Sequence, residues 1–126
     1  MIRKLLELSG LISSSKDGSV VTHINAQEAA EKIKAPNVFV LDVRSKDEYG
    51  TGHLEGAKLI PVGELRQRIG ELDKMKDKIV LAYCHSGMRS RTAASILASA
   101  GFTVMNLKGG ISSWTAAGNP VNRGKK

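Results

Sequence analysis

The chain contains a single cysteine, Cys84, among its 126 residues. No intramolecular disulfide can form, and a cysteine-based zinc cluster fails on count. The three histidines add no metal-ligand spacing to that cysteine, so no metal or other cofactor is expected. Aromatic residues make up only 4% of the chain, and no basic stripe is interleaved with them. The net charge of +7 therefore points to anionic partners in general and argues against nucleic acid. No apolar run approaches the ~20 residues that span a bilayer, so no membrane partner is expected. The N-terminal MIRKLLELSGLISSS superficially resembles a signal peptide, but Glu7 interrupts its apolar stretch and no A-x-A-like cleavage site follows. An amphipathic helix from Ile2 to about Ser9, with Ile2, Leu5 and Leu6 on one face, is the better reading, and a cytoplasmic location follows from it.

What is present fits one domain. Hydrophobic residues (41%) and charged residues (25%) stand in ordinary globular proportion. Residues 1–19 read as an extension, the short helix followed by a polar break from Ser13 to Ser19; residues 20–121 read as the compact domain and 122–126 as a basic tail. Val20 to Ile24 is a β-branched strand. Asn25 with Glu28, and Ser45 with Glu48, have capping-box spacing, each opening a helix. Val38 to Leu41 and Ile79 to Tyr83 are continuous apolar runs suited to central parallel strands. Ala57 to Ile60 and Phe102 to Leu107 are further strands. Leu65, Ile69 and Leu72 fall at helical spacing, Ser90 to Ala100 is rich in helix formers, and Gly109-Gly110 leads into a short helix carrying Trp114. Strands alternating with helices predict an α/β fold with a mainly parallel sheet.

Cys84 follows the second apolar strand directly. Ligands of open α/β sheets bind beyond the carboxyl ends of the strands, and the helix expected from Ser90 presents unpaired N–H groups there. A thiol so placed is biased toward thiolate, helped by Arg89 and Arg91. Gly87 allows a tight curl in the loop Cys84-His85-Ser86-Gly87-Met88-Arg89, turning its N–H groups inward as an anion nest. His85, Ser86 and Met88 then radiate outward as a rim. A buried inert thiol, the ordinary condition of a lone cysteine, has no need of such a setting.

The loop CHSGMRS resembles the active-site loop of rhodanese-like sulfurtransferases. VLDVRSKDEYGTGHLEGAKLIPV resembles another signature of that family at Asp42, Val43, Arg44, Glu48, Gly52, His53, Gly56, Ala57, Ile60 and Pro61. LKGGISSWTAAGNPV resembles a third at Gly109, Gly110, Trp114, Gly118, Pro120 and Val121. The resemblance runs from about Val20 to Val121 and implies a single five-stranded, mainly parallel sheet with helices on both faces. It also implies a mechanism. The Cys84 thiolate takes the outer sulfur of a small anionic donor such as thiosulfate, and the persulfide passes it to cyanide, a thiol or a protein cysteine. In that scheme His85, Ser86, Gly87, Met88 and Arg89 bind the donor, with Arg89 on its anionic end. Thiosulfate-using members often carry a basic residue directly after the cysteine, and mercaptopyruvate-using members a small one; here His85 stands there, followed by Ser86-Gly87.

Other readings of the same residues compete. Phosphatases of related fold use Cys-x5-Arg, whereas this loop has Cys-x4-Arg, a smaller ring better matched to sulfur than to phosphate. His85 as general base is unnecessary beside a thiolate stabilised by backbone. Asp42, Arg44 and Ser90 are candidate supports of the site, with a structural ion pair the plainer reading of the first two. His53 reads as a loop-bonding residue, Trp114 as core and Met88 as an apolar patch for a protein acceptor. The alternative function is a non-enzymatic persulfide carrier or partner-binding module in a sulfur relay.

Overall fold

The computed structural model describes residues 12–14 and 20–124. Strand β1 (Ile12–Ser14) is followed by β2 (Val20–Ile24), α1 (Ala26–Lys32), β3 (Val38–Asp42), α2 (Lys46–Thr51) and β4 (Lys58–Leu59). Next come α3 (Leu65–Arg68), flanked by 3-10 turns over Val62–Glu64 and Ile69–Met75, then β5 (Ile79–Tyr83), α4 (Met88–Ser99), β6 (Thr103–Leu107) and α5 (Gly110–Ala116).

The strands lie in the order β1-β2-β6-β5-β3-β4, and every pairing from β2 to β4 is parallel. These five strands form the expected sheet. A sixth, β1, joins it antiparallel at the β2 edge, pairing Ile12 with Thr22 and Ser14 with Val20. Ser13 and Ser14, read from sequence as the start of a polar break, thus extend the sheet, because edge backbone groups accept a partner whatever its side chains. The helix expected over Ile2 to Ser9 lies outside the described residues.

Side-chain alternation along the strands builds two cores, one on each face of the sheet. Val80, Ala82 and Cys84 of the β5 segment join Val21, Leu41 and Val104 beneath Ala93, Ala94, Leu97 and Ala98 of α4 and Leu65 of α3. Leu81 and Tyr83 point the other way, packing with Ile24, Met105 and Leu107 against Ala26 and Ala29 of α1 and Ile111 and Trp114 of α5. The same period that sends Tyr83 into one core places Cys84 on the α4 face.

Both predicted capping boxes form. The Glu28 N–H donates to Asn25 Oδ1 (2.8 Å) and the Asn25 N–H to Glu28 Oε1 (2.9 Å). Glu48 and Ser45 repeat the exchange at the start of α2, with distances of 3.0 and 3.2 Å. The helix expected through Leu65, Ile69 and Leu72 is α-helical only to Arg68. Beyond it Ile69, Leu72 and Met75 recur at intervals of three, which the 3-10 period lines up on one face. At the end of the domain, where the sequence reads as a basic tail over 122–126, Asn122 exchanges backbone hydrogen bonds with His53 (both 2.8 Å) and the Gly124 N–H donates to Gly50 O (2.9 Å), while residues 122–124 stay exposed. Among the described residues, no helix is long and apolar enough to cross a membrane.

Candidate active site

The loop after β5 runs from Cys84 to Gly87, and α4 begins at Met88 rather than Ser90. The sequence signal for the start was masked because no Ser, Thr, Asp or Asn caps this helix. Gly87, at φ +110°, takes the N-cap position in a left-handed conformation that glycine alone adopts without strain. Arg89 and Ser90 therefore stand in the first helical turn.

Cys84 is 1% exposed, yet its sulfur is surrounded by donors. The Gly87 N–H reaches Sγ at 3.0 Å, and Ser90 Oγ lies 3.5 Å away. Burial pushes the thiol up, but hydrogen bonds from the Ser90 hydroxyl and from the Ser90, Gly87 and Ser86 N–H groups outweigh it, leaving the thiol below its ordinary value. Burial and activation coexist here, where the sequence reading set them as alternatives. The bonds to sulfur favour its charged form, which burial alone would oppose.

The loop is held from behind by α5. The Ile111 N–H donates to Cys84 O (2.9 Å) and the Ser112 N–H to His85 O (3.1 Å). This approach needs Gly110: a Cβ there would lie 2.3 Å from Cys84 O and 2.5 Å from His85 O. The Gly109-Gly110 pair, read in the sequence only as a lead into a helix and part of a family signature, is thus a direct support of the Cys84 backbone.

Arg89 does not stand free. Its Nη1 and Nη2 donate to Glu48 Oε1 (2.7 Å) and Oε2 (2.9 Å) in a bidentate pair. The Arg89 guanidinium holds the Glu48 carboxyl down at about 2. Two of the five guanidinium N–H groups thus already serve α2, which leaves the rest of the fork for the donor's anionic end. Glu48 was legible as a capping residue but not as a partner of the loop, since 41 residues separate the two. Arg89 remains close enough to Cys84 for the two charges to interact. His85, Ser86 and Met88 are exposed at the rim, Met88 by 77%.

Asp42 and Arg44, at and just past the end of β3 beside β5, form a buried pair. Arg44 Nη2 donates to Asp42 Oδ2 (2.7 Å) and to Gly52 O (2.6 Å), and the Arg44 N–H and Nε both reach Asp42 Oδ1. The Tyr83 hydroxyl donates to Asp42 Oδ2 (2.7 Å) and accepts from the Leu54 N–H (3.0 Å). Burial, then the Asp42 charge, pushes the Tyr83 phenol far up. The network ties the ends of β3 and β5 to the loop that follows α2, at Gly52 and Leu54, and no member contacts Sγ. His53 is buried, stacked on Tyr49 with ring centroids 3.7 Å apart, and its Nδ1 bonds Tyr49 O at 2.9 Å. Trp114 is core, with its indole N–H on Pro120 O.

Two residues that sequence reasoning passed over complete the neighbourhood. Asn106 on β6 is 2% exposed and lies 2.6 Å from Ser90 Oγ. His23 on β2 reaches Asn106 at 3.2 Å. Each follows an unremarkable apolar or β-branched run in sequence, and only strand pairing makes them neighbours.

A parallel sheet with a thiol cradled at the carboxyl end of a central strand defines an α/β domain with a cysteine-containing anion loop, and comparison with known proteins places it in a family. The profile described as rhodanese-like domain matches residues 25–117, and the chain belongs to that family. It is 37% identical over 109 residues to the uncharacterized protein YibN of Escherichia coli, covering 85% of this chain and 76% of that one. It is 31% identical over 103 residues to the putative sulfurtransferase YtwF of Bacillus subtilis, covering 81% of this chain and 98% of that one. A rhodanese-related protein from Thermoplasma volcanium superposes with a TM-score of 0.74 at 37% identity, covering 79% of this chain and 96% of that one.

Proposed function

We propose that the protein is an enzyme that transfers a sulfane sulfur from a small anionic donor such as thiosulfate to a thiophilic acceptor through a persulfide on Cys84. The observation that carries this reading is the cradle: a thiol lowered by hydrogen bonds from Ser86, Gly87 and Ser90, at the mouth of a helix N-terminus. The thiolate attacks the donor's outer sulfur. A new S–S bond forms, the old one breaks, and sulfite leaves with the bonding pair. The acceptor, cyanide or a thiolate, then attacks the outer persulfide sulfur, and Cys84 departs as thiolate. Splitting the transfer in this way replaces one difficult step with two easier ones.

The loop N–H groups that now point at Sγ stabilise negative charge as sulfur exchanges, in the manner of an oxyanion hole. Arg89, engaged with Glu48, offers the rest of its fork to the donor's anionic end and fixes the helix start against α2. The exposed rim of His85, Ser86 and Met88 is where donor and acceptor approach. Intact-mass measurement after incubation with thiosulfate tests the reading. The expected result is a gain of one sulfur atom that cyanide removes and that Cys84→Ser abolishes. No gain, or a gain that persists in Cys84→Ser, refutes it. Running mercaptopyruvate beside thiosulfate identifies the donor class. Fast transfer only to a protein cysteine, with negligible turnover on cyanide, would make the protein a carrier rather than a small-molecule enzyme.

A further inference from the structure

Cys84, Asn106 and His23 stand in a row across the α4 face of the sheet, at the ends of adjacent strands β5, β6 and β2. His23 and Asn106 are register partners, and Asn106 pairs in register with Ala82, two residues before Cys84. Ser90, from the first turn of α4, closes the gap. The chain reads Cys84 Sγ to Ser90 Oγ at 3.5 Å, Ser90 Oγ to Asn106 Oδ1 at 2.6 Å, and Asn106 Nδ2 to His23 Nδ1 at 3.2 Å.

The direction of this chain follows from counting hydrogens. Ser90 has one hydroxyl proton, with Asn106 Oδ1 (2.6 Å) the nearer acceptor and Gly87 O (3.2 Å) the farther, and Asn106 offers donors on one side of its amide only. In the neutral-thiol state the thiol donates to Ser90, Ser90 donates to Asn106 Oδ1, and Asn106 Nδ2 donates to a bare His23 Nδ1. Every link points away from sulfur, which suits a neutral thiol. Once the thiol proton leaves to water, sulfur can only accept, and Ser90 must turn its single hydrogen toward it. The 2.6 Å contact would then set the Ser90 lone pairs against the Asn106 oxygen. Turning the amide over removes that clash: Nδ2 donates to Ser90, and Oδ1 faces His23 as an acceptor. That arrangement is satisfied only if His23 Nδ1 carries a proton.

We infer that His23 and Asn106 are positioning residues that set the ionisation of Cys84 through Ser90, by a hydrogen-bond chain that reverses when the thiolate forms and then requires a proton on His23 Nδ1. The setting supports such a link. Cys84 is 1% exposed, whereas His23 lines a cleft of about 250 Å³ together with Asn106, Arg91 and Lys108, so the imidazole is the more open end of the chain. Burial, then Arg91 from α4 and Lys108 beyond β6, hold the imidazole below its ordinary value. The ring is therefore neutral near neutral pH, and thiolate formation there switches its tautomer; at lower pH the imidazolium supplies the same Nδ1 donor. On the sulfur side the charged neighbour is Arg89, with Glu48 paired to it.

This deepens the proposed chemistry and rests on Cys84 as its nucleophile, but it is tested without any sulfur donor. As the chain has one cysteine, thiolate absorbance titrated against pH, with Cys84→Ser subtracted, reads that group alone. His23→Phe takes a partner from both arrangements, but the reversed one is polarised by the charge on sulfur and loses more, so the thiol pKa is expected to rise by roughly one unit, about tenfold less thiolate on the acid side of the transition. In a Ser90→Ala background the thiol pKa is already raised, and adding His23→Phe changes nothing further. A through-space charge effect of His23 would instead survive in that background. In the wild-type chain, nitrogen NMR of the His23 ring should show Nδ1 gaining a proton as Cys84 ionises. An unmoved thiol pKa in His23→Phe, an equal shift with and without Ser90, or an unchanged His23 tautomer overturns the inference. A persulfide test that fails while this titration succeeds rejects the donor chemistry and leaves the relay standing.

Discussion

Gly110→Ala isolates how the backbone of Cys84 is held. The residue has φ +59°, and an added Cβ would meet Cys84 O at 2.3 Å, His85 O at 2.5 Å and the His85 carbonyl carbon at 2.6 Å. These are backbone atoms of a loop fixed on both sides, so they cannot swing away as a side chain would. The left-handed conformation costs alanine about 1–2 kcal/mol. Relief of the clash requires α5 to withdraw, which breaks the Ile111 and Ser112 N–H bonds to the loop carbonyls, each worth about 1 kcal/mol net. The sum is about 3–4 kcal/mol. Gly118→Ala is the control: its φ is +86°, but nothing lies within 4 Å of the added Cβ. It should cost only the conformational part, about 1–2 kcal/mol, and the entropy alanine removes from the unfolded chain is common to both variants. With a urea slope of about 2 kcal/mol per molar, the unfolding midpoint of Gly110→Ala should fall about 1 M below that of Gly118→Ala. Equal midpoints would refute the claim that close backbone approach, rather than φ alone, dictates glycine at 110.

Two further outcomes follow from the ion pairs. Glu48→Gln keeps the reach back to the Ser45 N–H that a capping box needs but removes the charge facing Arg89. Side-chain exposures of 34% for Glu48 and 40% for Arg89 keep the cost below about 1 kcal/mol at neutral pH. Because the folded Glu48 carboxyl is depressed to about 2, its contribution is fully present above the ordinary carboxylate range and is lost as pH falls toward that value. Melting curves should therefore show the gap between wild type and Glu48→Gln closing between about pH 4 and pH 2; a gap unchanged at acid pH contradicts the pairing. Asp42→Asn leaves Arg44 charged at 3% exposure without its carboxylate, and urea unfolding should register a loss of about 3–5 kcal/mol.

The alternating strands and helices, the two capping boxes and the position of Cys84 at a strand end were all legible in the sequence. Each is a local property: apolar runs, N-cap residues and a glycine-containing loop act on chain neighbours, and local chemistry dictates them. The helix start at Met88 escaped because its cap is a glycine conformation rather than a capping side chain. The 3-10 turns after Arg68 escaped because a spacing of three also fits an α-helix face.

The α/β class, the family resemblance and the candidate nucleophile Cys84 are readable from the chain alone, because those rest on short-range pattern. Tertiary structure alone decided who surrounds that cysteine. Glu48 takes up Arg89, Gly110 admits α5 to the back of the loop, and Asn106 and His23 line up with Ser90 beside the sulfur. These partners come together only when the order β2-β6-β5-β3 sets distant strands side by side. Register across a sheet depends on pairing partners far along the chain, and no window of sequence contains both.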